Sequence, residues 1–174
     1  LGIAGCMAQV SGEKIEKVYV AFKTHLDVGF TDLSSVVTER YVHDFIPKAI
    51  EVSERLRADG SGDRYVWTTG SWLIWKYLRT ASPEAVKQLE EAIGRGDIVW
   101  NSVPYTVESE TMTRELFETC SLLSKRLDKK YNKQTIAAKM TDVPGHTRSI
   151  IDPMYDAGIR LLHAVSYTHL TLPT

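Results

Sequence analysis

Along most of the chain, apolar residues switch between two spacings. Short β-branched and aromatic runs recur between longer stretches whose apolar residues fall three and four apart. Lys17 to Thr24 (Lys-Val-Tyr-Val-Ala-Phe-Lys-Thr) predicts a first strand. Ser34 to Arg57 carries Val37, Tyr41, Phe45 and Ile50 at helical spacing, and Pro47 must kink or divide that helix. Asp59 to Asp63 reads as a loop, and Arg64 to Thr68 as a second strand leading into a helix with Trp72, Leu73, Trp75 and Tyr77. Ser82-Pro83 starts a further helix, with Ser as cap and Pro in the first turn, and Gly94 to Gly96 stops it.

The alternation continues to the end. Asp97 to Val103 predicts a third strand, Thr113 to about Tyr131 a helix, and Thr135 to Met140 a fourth strand. A helix from His146 to Ala157, stopped by Gly158, precedes a fifth strand from Arg160 to Ala164. Strands and helices in this order predict an α/β fold with a parallel sheet and right-handed crossovers. In such folds chemistry sits just past the carboxyl ends of the strands.

Composition narrows the function classes. The chain has 174 residues, 43% hydrophobic and 25% charged, the profile of an ordinary globular domain. Its 21 Lys and Arg against 22 Asp and Glu argue against nucleic acid or an anionic membrane surface as the main partner. Two cysteines, Cys6 and Cys120, are too few for a disulfide scaffold or a thiolate zinc site.

The two ends read differently from the middle. Ile3-Ala4-Gly5-Cys6 resembles a bacterial lipobox, in which small residues admit a peptidase and the cysteine thiol takes a lipid. Cys6-Met7-Ala8 reads alternatively as a plain small-residue cleavage site. Both predict export to the periplasm or cell surface, and the first adds a lipid anchor through Cys6. Residues 1–10 are therefore expected to be a signal remnant and 17–164 the folded domain. Val165 to Thr174 resembles translated adapter sequence, so 165–174 is set aside and His169 is no ligand candidate.

Three predicted strand ends carry titratable groups. After the first comes His25-Leu26-Asp27-Val28-Gly29-Phe30, whose His and Asp share a face if the segment is extended. An imidazole and a carboxylate together suit zinc; a plain His–Asp hydrogen bond is the bland alternative. After the third strand Glu108 and Glu110 share a face on the same assumption, and otherwise are two solvated carboxylates. After the fourth, Asp142 leaves the strand, Pro144-Gly145 turns the chain and His146 follows.

Taken in order, these residues resemble the N-terminal catalytic domain of glycoside hydrolase family 38, the α-mannosidase family, in its divergent bacterial members. His25-Leu-Asp27-Val-Gly-Phe30 is similar to the family's His-x-Asp-x-Gly-aromatic motif, whose His and Asp bind zinc. Asp142-Val-Pro-Gly145-His146 is similar to its later Asp-x-x-Gly-His/Tyr loop, which contributes to the sugar site. The stretch from Gly96 to Glu110 resembles the segment of the metal-binding nucleophile; that residue is Asp in the family, and here Glu110, or Glu108 in a rival register, takes its place.

The resemblance covers about Val18 to Ala164 and implies an incomplete β/α barrel with about five parallel strands. Complete barrels of this kind run to about 250 residues. It further implies Zn2+ held by His25, Asp27 and Glu110, a carbohydrate substrate contacted by Asp142 and His146, and a retaining mechanism in the full-length protein. The acid/base residue and a last metal ligand would then lie beyond this chain, leaving the isolated piece inactive. Trp67, Trp72, Trp75 and Trp100 could stack on sugar, although core packing is the expectation for all four. Two other functions compete. A metal-dependent carbohydrate deacetylase would need a histidine four residues after His146, where Ile150 stands. An exported, non-catalytic carbohydrate-binding lipoprotein would tolerate Glu at position 110.

Overall fold

The computed structural model describes residues 24–165. The predicted first strand up to residue 23, Cys6 and the signal-like stretch, and residues 166–174 of the tail lie outside the described residues. Within them the chain is α/β with parallel strands. The elements are α1 (Ser34–Arg40), α2 (Ile46–Ala58), β1 (Trp67–Gly70), α3 (Ser71–Thr80), α4 (Pro83–Arg95) and β2 (Ile98–Asn101). They continue with α5 (Arg114–Tyr131), β3 (Ala137–Thr141), α6 (Ile151–Asp156) and β4 (Leu161–Val165).

The expected Pro47 disturbance takes a specific form. Between α1 and α2 the helix widens into a π turn, Tyr41–Phe45, in which the Ile46 N–H bonds back to the Tyr41 carbonyl. Pro47 has no N–H to donate and its ring crowds the carbonyl four residues earlier, so one wider turn absorbs the mismatch instead of a break. α4 follows its sequence signals: Ser82 Oγ accepts the Ala85 N–H at 3.2 Å, and Gly96 ends the helix at φ 78°, a left-handed conformation that costs glycine nothing. The helix expected from His146 starts later. Thr147 caps a short 3-10 turn (Arg148–Ile150) before α6, and His146 stays in the loop.

β1 pairs in parallel with β2, Trp67 opposite Ile98 and Gly70 opposite Asn101; β3 pairs in parallel with β4, Ala137 opposite Leu161 and Thr141 opposite Val165. One backbone hydrogen bond, Ser102 N–H to the Ala137 carbonyl at 2.9 Å, joins the two pairs. On the outer side of β1, Thr24 N–H donates to the Thr68 carbonyl at 3.2 Å. Neighbours in space thus follow chain order, with helices covering each crossover, as in a β/α barrel and unlike a doubly wound sheet.

The sheet curls. On a flat sheet Thr24 would lie three strand spacings, about 14 Å, from β3. Yet Lys139 Nζ on β3 donates to the Thr24 carbonyl at 2.6 Å, and Thr141 meets the His25 ring. Side chains on one face of the strands pack outward under the helices: Trp67, Ile98 and Trp100 with Ile46, Leu73, Ile74, Leu89 and Ile93 in one core. Ala138 and Met140 join Phe117, Met154 and Ile159 in a second core beneath α5 and α6. The alternate positions, including Lys139 and Thr141, face the inside of the curl. Two buried acids brace the frame. Asp97 receives Arg57 and Arg95 at the start of β2, and Asp128 of α5 accepts from Trp100 and Thr135.

Candidate metal centre

Residues 24–27 are irregular in structure, but the backbone is held from both sides. Thr24 bonds β1 through its N–H and Lys139 through its carbonyl, and the Tyr41 hydroxyl donates to the His25 carbonyl at 3.0 Å. Tyr41 projects from the π turn and is 8% exposed. Burial pushes its phenol pKa up, and the Asp27 carboxylate adds to the shift, so the hydroxyl stays a donor.

His25 and Asp27 share a face, as their spacing predicts. His25 Nε2 lies 2.9 Å from Asp27 Oδ1 and 3.1 Å from Asp142 Oδ2. The other ring nitrogen, Nδ1, lies 3.0 Å from Thr141 Oγ1. Asp142 is the first residue past β3; it adopts φ 70° and its N–H donates to the Val165 carbonyl at 2.9 Å. A left-handed backbone is uncommon for any residue but glycine, and aspartate is among the few that tolerate it. Here it lies where the chain leaves the strand end.

One nitrogen and two carboxylate oxygens thus converge, with ligand atoms from His25, Asp27 and Asp142 all within 4.8 Å of one another. Each residue is about one-third exposed, so the cluster opens to solvent. The position agrees with the general placement of sites past the carboxyl ends of parallel strands. The donor set, one imidazole with two carboxylates, is one that zinc accepts.

Glu110 is not in this group. The segment after β2 is not extended: Thr111 N–H and Oγ1–H both return to the Glu108 carbonyl, curling Ser109–Thr111 into a 3-10 turn with Glu110 exposed. The third residue of the cluster, and its second carboxylate, is Asp142. The turn is nonetheless tied to the same end of the molecule. Ser109 Oγ, itself buried, lies 3.1 Å from His146 Nδ1 and accepts the Thr147 N–H at 3.2 Å. Thr106 Oγ1 accepts the Thr141 N–H at 3.4 Å. Gly70 allows the strand-end loop to close down, since a Cβ there would stand 2.2 Å from the Pro104 carbonyl oxygen.

Among the described residues His146 therefore links two loops instead of joining the ligand cluster, and its buried Nε2 has no hydrogen-bond partner there. Trp67 and Trp100 are core residues, Trp72 stands edge-on to Tyr105 with ring centroids 6.0 Å apart, and Trp75 lies under the Arg79 guanidinium. His163 is an exposed position of β4, opposite Lys139 in register. Thr141, Tyr41 and Lys139 were not singled out in the sequence. The readable signal was parity: Lys139 and Thr141 are two apart at the end of a strand whose other face is apolar.

Among the described residues no helix is long and apolar enough to cross a membrane. No protein-family model matches the chain, and no curated protein matches it. Among solved structures, the 4-alpha-glucanotransferase from Thermococcus litoralis is similar over 81% of this chain, with a TM-score of 0.60 and 15% identity. The match spans 21% of that chain. At this identity the likeness concerns the fold alone: the chain shares the fold of about one-fifth of that structure.

Proposed function

We propose that this chain belongs to the catalytic domain of a zinc-dependent retaining glycosidase acting on α-mannoside-like sugars, the reading its motifs share with glycoside hydrolase family 38. One observation carries it: the first loop and the end of β3 bring His25, Asp27 and Asp142 together with ligand atoms within 4.8 Å. Both carboxylates face the same imidazole nitrogen, an arrangement a divalent cation neutralises and a single N–H cannot fully satisfy. The likeness of the fold to a carbohydrate-active enzyme supports the reading without naming a sugar.

His25, Asp27 and Asp142 would hold the ion. When bound, zinc supplies a positive charge that orients sugar hydroxyls and eases ring distortion towards the oxocarbenium-like transition state. The rest falls to the protein. Retention requires a carboxylate to attack the anomeric carbon and a second carboxyl group, roughly 5 Å away, to protonate the leaving oxygen. In the family the attacking carboxylate is also a metal ligand, and of the carboxylates after β2 and β3 only Asp142 stands in the cluster. We therefore assign the attack to Asp142 and place Glu110 and Glu108 on the adjoining turn, where they border the sugar.

The test is metal content followed by hydrolysis. After dialysis against zinc, the intact protein carrying this chain should retain one ion and its His25→Ala variant none. The intact protein carrying this chain should hydrolyse aryl α-mannosides. Asp142→Asn should abolish turnover, whereas Glu110→Gln should keep a measurable rate. Hydrolysis that survives complete zinc removal, or a zinc-loaded protein that hydrolyses none of these substrates, would sink the assignment.

A further inference from the structure

β3 presents two inward side chains, two residues apart, and both fasten the first loop. Lys139 Nζ holds the Thr24 carbonyl at 2.6 Å, and Thr141 Oγ1 meets His25 Nδ1 at 3.0 Å. Thr141 is 8% exposed and its own N–H is taken by Thr106 Oγ1. Its hydroxyl therefore sits in a fixed, largely dry position. From the far side the Tyr41 hydroxyl fixes the His25 carbonyl.

From this geometry we infer that Thr141 is a positioning residue for the metal centre: its hydroxyl accepts the Nδ1–H of His25 and so presents the Nε2 lone pair to the cation. This role rests on the zinc reading given above. An imidazole has one hydrogen when neutral, and the nitrogen that keeps it is set by the partner of the other. Histidine ligands commonly take a carboxylate or a backbone carbonyl in this position, and removing such a partner weakens metal affinity about 10- to 100-fold. A hydroxyl accepts as they do while adding no charge to a site that already has two carboxylates. Thr141 also immediately precedes Asp142, so one strand end delivers a ligand and the group that orients another ligand.

Zinc affinity, measured by competition with a chromophoric chelator, tests the inference. Thr141→Val keeps the shape of the side chain and removes the acceptor; it should weaken zinc binding about 10- to 100-fold. Thr141→Ser restores the hydroxyl and should return the affinity to near the wild-type value. Circular dichroism and urea unfolding establish that each variant is folded. Long-range proton–nitrogen spectra of the zinc-loaded wild-type chain give a readout that needs no variant: His25 should carry its hydrogen on Nδ1 and bind the ion through Nε2. Ligation through Nδ1, or wild-type affinity in folded Thr141→Val, overturns the role of Thr141 while leaving the metal centre in place. An intact wild-type protein that binds no zinc overturns both.

Discussion

Asp128 offers the sharpest test of how the frame that carries the candidate metal centre is held. Its carboxylate is 7% exposed and accepts three hydrogen bonds. Trp100 Nε1–H reaches Oδ1 at 2.9 Å, Thr135 Oγ1–H reaches Oδ1 at 2.7 Å, and Thr135 N–H reaches Oδ2 at 2.9 Å. These bonds connect α5 to β2 and to the segment that enters β3. Asp128→Asn keeps the shape but replaces one acceptor oxygen with a donor. If the amide oxygen keeps Trp100 and Thr135 Oγ1, the NH2 group confronts the Thr135 N–H, two donors with no acceptor between them. Hydrogen bonds to charged groups contribute about 1.5–3 kcal/mol, and a buried unsatisfied donor costs about 1–3 kcal/mol. The Asn variant should therefore lose about 2–3 kcal/mol. Asp128→Ala, which strands three donors, should lose about 3–5 kcal/mol, because such losses in one network do not simply add. Urea unfolding followed by circular dichroism reads the change as a lower midpoint at an unchanged slope. A cycle of Asp128→Ala with Trp100→Phe should show a coupling of about 1–2 kcal/mol. An Asn variant within about 0.5 kcal/mol of wild type would refute the reasoning, since that is the range of substitutions that touch no special feature.

Asp97 governs the acid limb of stability. Burial raises its carboxyl pKa, but hydrogen bonds from Arg57 and Arg95 outweigh that and leave it below 3.8. A depressed folded pKa means that the contribution is complete above the unfolded value and is lost as pH falls through the folded one. Urea midpoints should thus fall steeply below about pH 4, and Asp97→Asn should flatten that limb while lowering the plateau; an unchanged limb would contradict the assignment. Gly70→Ala should cost about 1–3 kcal/mol through overpacking, because the new Cβ meets the Pro104 carbonyl oxygen at 2.2 Å. Limited proteolysis of that variant should show earlier cutting in the loop that carries Glu108 and Glu110.

Element order and most caps were legible because they are local. Ser82 and Gly96 announce helix ends by their own chemistry, and each serves as read. The pairing of His25 with Asp27 was legible for a similar reason, since residues two apart share a face along extended backbone. The extended backbone that rule needs is missing at Glu108 and Glu110, where Thr111 turns back onto the Glu108 carbonyl and Ser109–Thr111 forms a 3-10 turn. The start of the last helix slipped from His146 because Thr147 offered the better cap and the Ser109 hydroxyl had engaged the imidazole. Nothing local tied Thr141 or Tyr41 to His25, which lies 116 and 16 residues away: curvature of the sheet brings Thr141 to it, and the π turn presents Tyr41.

The single backbone bond between Ser102 and Ala137 gains weight from where the ligands stand. It runs along a seam between two apolar cores, one under β1 and β2, the other under β3 and β4. His25 and Asp27 stand on the loop bonded to β1 and Asp142 at the end of β3, so an ion held by all three, as proposed, would cross-link that seam. Opening the seam would separate the ligands, and binding would favour the closed arrangement by the usual mass-action term, RT ln(1 + [L]/Kd). Zinc binding would then strengthen the coupling of the two cores, readable as slower amide exchange in β2 and β3 when zinc is present.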